Sequence, residues 1–410
     1  MKMTDVVTRF QEDVTRTILG LRKSIGIVVS KLPDRIDSPH DVYQVLGLDK
    51  KLGWRIYKII HEDDLFFAAQ FVPGKHSFGR FIRSCRAKGV EKSYLDEALK
   101  AVEEFYEIIE IHSGDRQSMD MMLMASSRDG KDQAYNTLRK QAYYAQSHLL
   151  GLQAETQLDA WIFGPSVEEG MLDVAEVKGL FDVRRNRPGV KWVVDTPCFF
   201  AGNEHEEHVF TDSIDPGATC NLMEKVPFLE RYCSMPLPSL KTVTSHSCGP
   251  VYELEDGPLG NTNLIDTVTG TVSRGIFPIK PEEGEEHHEV SVKIYTPVQN
   301  LVLDLFFHET MAETMSGNPQ AKMLFDYYTH GGALAYRSDR DRIPMDVKPM
   351  MIGTGTSCAY TPLIPKYSDM LAEVFQCLRW DPDEFVVYRT RVEFPIVPSS
   401  LYYSDAMVRS

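Results

Sequence analysis

The sequence predicts an α+β chain in two unlike parts: an all-helical domain over residues 1–150 and a larger, strand-rich, mostly antiparallel domain over residues 151–410. Three observations carry this. Apolar residues recur at three- and four-residue steps through most of the first 150 positions. Beyond them, Pro and Gly punctuate short β-branched and aromatic runs. Charge is also uneven: residues 1–100 hold 18 Lys and Arg against 13 Asp and Glu, leaving 26 against 46 in the rest of a chain whose net charge is −15.

The elements follow in order. Phe10, Val14, Ile18, Leu21, Ile25 and Val28 put a continuous apolar stripe on one side of a long first helix that starts near Val7. The stripe must be buried. Val7, Val14, Leu21 and Val28 also stand seven apart, so the expected partner is the protein's own core or, alternatively, a second copy across a dimer seam. Ser38-Pro39 supplies an N-cap and a first-turn proline for a short helix ending at Leu46-Gly47, and a second helix starts at Leu48-Asp49. After Pro73-Gly74 a helix is predicted over 78–88, broken by Gly89; Ser93 and Glu97 then open a long helix through Leu99, Val102, Phe105 and Ile109.

One more helix is expected over 132–150, and strand texture begins near Gln157, where Leu158, Trp161 and Phe163 precede Gly164-Pro165. Further on, strands are predicted at 191–195, 266–272, 290–295, 301–307 and 385–394, and helices at 172–185, 320–328 and 367–378. Strands joined more often by loops than by helices favour antiparallel pairing. The charged segment 282–289 is expected to be an exposed loop.

Composition narrows the function. Seven cysteines with no Cys-x-x-Cys pair indicate neither a disulfide framework nor a zinc knuckle. The longest apolar runs, such as 26–30 and 301–307, fall far short of the roughly 18 residues a membrane span needs. The opening Met-Lys-Met-Thr-Asp lacks the apolar segment of a secretory signal, so a cytoplasmic protein with no membrane partner is expected. An acidic body repels phosphate, and only the N-terminal part suits a nucleic-acid partner.

Within that part, residues 38–60 pair a short helix, a Gly-containing turn and a second helix. Val42 and Leu46 face inward from the first, and Leu48, Leu52, Ile56 and Ile59 from the second, while Lys51, Arg55 and Lys58 fall at i, i+4 and i+7 on another side. Over about twenty residues this resembles the bacterial helix-turn-helix family, departing from it at Tyr43, where a small residue is usual, and at Gly53, where an apolar one is usual. The resemblance implies that the second helix enters the major groove of DNA and that Lys51, Arg55 and Lys58 meet phosphates or base edges. A second basic cluster, Lys75, Arg80, Arg83, Arg86 and Lys88, surrounds the next helix, and Arg83 and Arg86 are expected to add phosphate contacts.

Other constellations are weaker. His205-Glu206-Glu207-His208, followed by Asp212 and Asp215, offers metal ligands without a reliable third member, and His308-Glu309 has Ala312 where a His-Glu-x-x-His motif needs its second histidine. His330-Gly331-Gly332 and Ser245-His246-Ser247-Cys248-Gly249 resemble hydrolase loops in the wrong chain order. Gly353-Thr354-Gly355-Thr356-Ser357-Cys358 is an anion-cradle and thiol-nucleophile candidate without a P-loop lysine or a base at a legible spacing. Arg184-Arg185-Asn186-Arg187 is a basic knot expected at a helix C-terminus. No metal, cofactor or catalytic residue is assigned. The expected function is that of a DNA-binding transcriptional regulator whose C-terminal domain senses a ligand or partner. The alternatives are a structural or assembly protein forming homo-oligomers and a hydrolase using groups near His330 or Cys358.

Overall fold

The computed structural model describes residues 3–127, 131–195, 211–215, 226–245, 249–279, 287–312, 315, 317–325 and 341–406. It has a helical N-terminal region followed by a strand-rich, largely antiparallel region, an α+β architecture overall. The chain separates into two compact units, Met1–Tyr135 and Asn136–Ser410.

The first unit contains α1 (Met3–Ser30), α2 (Pro39–Leu46), α3 (Lys50–His61), α4 (Leu65–Gln70), α5 (Lys75–Ala87), α6 (Lys92–His112) and α7 (Arg116–Ser126). The stripe on α1 is buried in the unit's own core, where Val14, Ile18, Leu21, Ile25 and Val28 meet Leu95, Ala98, Val102, Phe105 and Ile109 of α6. Each such side chain contributes about 1.5–3 kcal/mol when fully buried. Val14, Leu21 and Val28 of the heptad-spaced set are therefore inside the unit, and the alternative of a dimer seam along that stripe is corrected accordingly.

Ser38 forms a full capping box with Asp41 at the start of α2, and Gly47 closes α2 in the left-handed region at φ 61°. Asp49 caps α3 by accepting the Leu52 N–H at 2.9 Å. The two departures from the helix-turn-helix pattern answer one another. A Cβ at Gly53 would lie 2.7 Å from the Cβ of Tyr43, so the missing side chain on α3 lets the backbone of α2 approach.

α8 (Lys131–Leu150) leads into the strands of the second unit: β1 (Leu152–Pro165), β2 (Met171–Arg185), β3 (Trp192–Asp195), β4 (Thr211–Ser213), β5 (Leu240–Ser245), β6 (Gly249–Leu254), β7 (Ile265–Pro278), β8 (His287–Ile294) and β9 (Val298–His308). The short α9 (Glu309–Ala312) precedes β10 (Gln320–Phe325), β11 (Arg342–Ile343) and β12 (Met350–Thr354), and α10 (Tyr367–Leu378) precedes β13 (Phe385–Glu393) and β14 (Ser399–Ala406). A seven-stranded sheet runs β12-β13-β9-β1-β2-β7-β4, a four-stranded sheet β11-β10-β14-β8 and a three-stranded sheet β3-β6-β5. β1 and β9 pair in parallel, and their neighbours in the large sheet are antiparallel. α10 covers one face of that sheet through Met370, Leu371, Val374 and Phe375, and the four-stranded sheet covers the other through Val290, Val292, Leu401 and Tyr403.

This double cover explains two errors of sequence reading. Residues 172–185, expected as a helix, form β2. Val174 faces one core and Ala175 and Val177 the other, so apolar residues occupy both parities and imitate a helical rhythm. Residues 320–325 of the other expected helix form β10, with Ala321, Met323 and Phe325 against the core; residues 326–328 lie outside the described residues. Of the expected loop 282–289, residues 287–289 begin β8 and the rest lies outside the described residues.

The register of β9 and β13 places Arg389 opposite Asp304. The guanidinium grips both carboxylate oxygens at 2.8 and 2.6 Å, and the Tyr367 hydroxyl of α10 donates to Oδ2 at 2.8 Å. Asp304 is fully buried; burial pulls its carboxyl up, and Arg389 and Tyr367 pull it down. This network joins helix to sheet.

Two stability measurements check these readings. Gly53→Ala destabilises the helical unit by about 1–3 kcal/mol through overpacking against Tyr43, whereas Gly20→Ala in α1, with nothing within 4 Å of its added Cβ, stabilises it by roughly 0.5–1 kcal/mol. Urea unfolding followed by circular dichroism separates the two signs. In the second unit, Arg389→Ala strands the Asp304 carboxylate and costs about 3–5 kcal/mol in the same assay.

Candidate nucleic-acid interface

α3 is held at both ends and along one side. Its inner residues Leu52, Ile56 and Ile59 are buried in the unit's core. At its C-terminus Arg22 of α1 donates from Nε to the Ile59 carbonyl at 2.9 Å and from Nη2 to the Glu62 carbonyl, putting a cation where the helix dipole favours one. At its N-terminus the Asp49 carboxylate holds Leu52 N–H and also accepts Arg80 Nη1 at 3.1 Å, which ties α5 to the start of α3. The Leu52 amide and then Arg80 lower the Asp49 carboxyl below its ordinary value.

The outer side of this clamped helix carries no acidic residue at all between Lys50 and His61. Lys50, Lys51 and Trp54 are exposed, and Arg55 and Lys58 are half-buried. The structure brings Lys51, Arg55 and Lys58 onto one side of α3 but gives them different surroundings. Lys51 is open to solvent. Lys58 pairs with Glu62 one turn on, Nζ to Oε2 at 2.8 Å. The charge of Arg55 acts on Asp120, whose carboxyl burial raises and whose ion-pair partner is Arg116 at 2.8 Å. On α5, Phe78, Phe81, Ile82 and Cys85 turn inward, and Arg83 and Arg86 are exposed on the strand of positions that starts at the anchored Arg80.

Comparison with models of known protein families, with curated proteins and with solved structures finds no match to this chain. The site therefore stands on its own geometry.

Sequence reasoning missed three members of that geometry. Lys50 and Trp54 are legible as polar-side positions of α3, one helical turn apart, once the acid-free run Lys50–His61 is counted. Arg22, by contrast, lies 37 residues from the carbonyl it caps, and no local signal points to it.

The remaining candidates fall out as follows. His205–His208 and His330–Gly332 lie outside the described residues, as do His246–Cys248. Among the described residues no three His, Cys, Asp or Glu side chains are grouped as a metal site needs, and no helix is long and apolar enough to cross a membrane. His308 has both ring nitrogens engaged, Nδ1 with Thr310 Oγ1 at 3.0 Å and Nε2 with Glu384 Oε2 at 3.1 Å. Cys358 sits just after Gly353 and Gly355, both at positive φ, and its thiol donates to the Gly355 carbonyl at 3.0 Å. Burial and the Asp304 charge raise that thiol against the pull of Arg389, and no histidine is among the groups acting on it. The knot 184–187 ends a strand rather than a helix. Arg184 donates to Asn261 Oδ1 at 2.6 Å, Arg185 to the Glu255 carbonyl, and Asn186 to the Ser147 carbonyl at 3.2 Å, which accounts for the segment structurally.

The second unit has a cavity of about 460 Å³ whose lining includes Leu229, Tyr232, Met370, Glu373, Val374 and Cys377. The Tyr232 hydroxyl donates to Glu373 Oε2 at 2.6 Å, and Arg231 pairs with the same oxygen at 3.1 Å.

Thiol chemistry checks the electrostatics. Burial pushes Cys85 up to about 12 and raises Cys358 as well. Both thiols therefore ionise less readily than an ordinary cysteine, so iodoacetamide alkylates their peptides more slowly in the native protein than in the urea-unfolded chain; mass spectrometry of the digest reads the difference.

Proposed function

We propose that this protein is a cytoplasmic, DNA-binding transcriptional regulator. α3 enters the major groove of a duplex, α2 braces it, and α5 adds phosphate contacts. The observation that carries the proposal is the acid-free outer side of α3 in a chain of net charge −15. Selection for solubility alone scatters both signs over a surface; the residues of α3 itself carry one sign only, with Lys50 and Lys51 exposed and Lys58 paired with Glu62 beyond the helix end. Arg83 and Arg86 extend the cationic surface from the neighbouring helix. The sensing half of the proposal rests on the cavity of the second unit, where Leu229, Met370 and Val374 stand beside the polar groups of Tyr232, Arg231 and Glu373.

Fluorescence anisotropy with a short labelled duplex tests it. With Lys50, Lys51, Arg55, Lys58, Arg83 and Arg86 on phosphates, the wild-type chain binds with a log–log salt slope of about −5, roughly 0.9 for each phosphate neutralised. Lys51→Ala flattens the slope by about 1, and Lys58→Ala by less, because Lys58 must first leave Glu62. Replacing Lys51, Arg55 and Lys58 together by alanine abolishes binding at low salt while the circular dichroism spectrum is unchanged. Unaltered low-salt affinity in the triple variant refutes the proposal.

A further inference from the structure

Cations on α3 can hold a duplex without telling one sequence from another, since phosphates are the same everywhere. A sequence-reading side chain must stand on the outer side of the helix, among those cations and away from the core. Trp54 stands there. Lys50 lies four positions before it and Lys58 four after, so the three form one row along α3, on the side opposite the buried Ile56. Trp54 is 41% exposed. Its remaining surface is braced: Phe71 meets it edge-on at 4.9 Å and 79°, and Phe67 meets Phe71 edge-on at 5.0 Å and 78°. This aromatic ladder rises from α4 and fixes the plane of the outermost ring, so the ring is ordered before any partner arrives.

A large, ordered, apolar surface in the middle of a cationic row has one complement in the major groove. Of the groups that base pairs present there, the 5-methyl of thymine is the apolar one. We propose that Trp54 is the specificity-determining residue of the interface, its indole face packing on thymine methyl groups, so that the protein prefers A·T-rich duplex DNA. The inference rests on the reading of α3 as a groove-entering helix. It divides labour along the helix: Lys50 and Lys51 supply attraction, and Trp54 supplies discrimination.

The test compares the full-length protein on three labelled duplexes: dA·dT, its dA·dU counterpart lacking only the methyl groups, and dG·dC. The wild type binds dA·dT more tightly than dA·dU by about fourfold for each methyl buried. Trp54→Ala equalises the two while leaving the salt slope unchanged, and Trp54→Phe, which keeps a ring on Phe71, retains part of the preference. Lys51→Ala does the reverse, flattening the slope and preserving the thymine-to-uracil ratio. Equal wild-type affinity for dA·dT and dA·dU overturns the inference, as does a ratio that survives in Trp54→Ala. So does tighter binding of single-stranded thymine runs than of the duplex, which would make Trp54 a base-stacking platform. Salt-dependent binding without a methyl effect sinks this inference and leaves the DNA reading standing; the absence of salt-dependent binding to all three duplexes sinks the DNA reading, and this inference with it.

Discussion

The burial of Leu52, Ile56 and Ile59 beneath α1 is the constraint on which the candidate interface depends. A short helix is marginal by itself in water, because the first turn fixes several residues for a single hydrogen bond. α3 has 12 residues, and its order comes from three additions to its intrinsic propensity: an apolar side locked in the core, the Asp49 cap at one end and the Arg22 guanidinium at the other. These all act on the inner side or the termini. The outer side is left outside the unit's core, and its exposed residues Lys50 and Lys51 meet solvent.

The contact between α2 and α3 follows the same logic at smaller scale. Packing in a protein interior leaves little room for an extra methyl, and helix pairs usually approach to 8–10 Å. Tyr43 is bulky, yet it sits directly against α3 because Gly53 has no side chain to displace. The absent side chain of Gly53 makes the room that Tyr43 takes up, and a Cβ at position 53 would close it. Arg80 then links the third element, holding α5 against the start of α3 through the same Asp49 that caps it.

Much of this was legible in the sequence and some was not, for physical reasons. Where one side of an element is wet and the other dry, the pattern speaks plainly: α1, α2, α3 and α10 are recoverable from apolar spacing with Ser38, Gly47 and Asp49 as punctuation. Where both sides are dry it does not. β2 buries Val174 on one face and Ala175 on the other, which hides the alternation of a one-sided strand, although the ion pair of Glu176 with Lys178 at 3.0 Å, two residues apart on one face, keeps the strand period. The site was half-visible. Lys51, Arg55, Lys58, Arg83 and Arg86 could be named from spacing, but their unequal freedom depends on Glu62, on Asp120 of α7 and on the fold that brings them near.

That inequality has a direction along α3. Its C-terminal half is already compensated: Lys58 leans on Glu62, Arg55 feels Asp120, and Arg22 answers the terminal carbonyls. Its N-terminal half is not. Lys50 and Lys51 are open beside the positive end of the helix dipole, while the Asp49 carboxylate is shared between the Leu52 amide and Arg80. The positive potential of the helix is therefore greatest at its beginning. On the proposed reading of α3 as a groove-entering helix, whose beginning would meet base edges, this gradient favours approach of phosphate at the half that carries Lys50, Lys51 and Trp54.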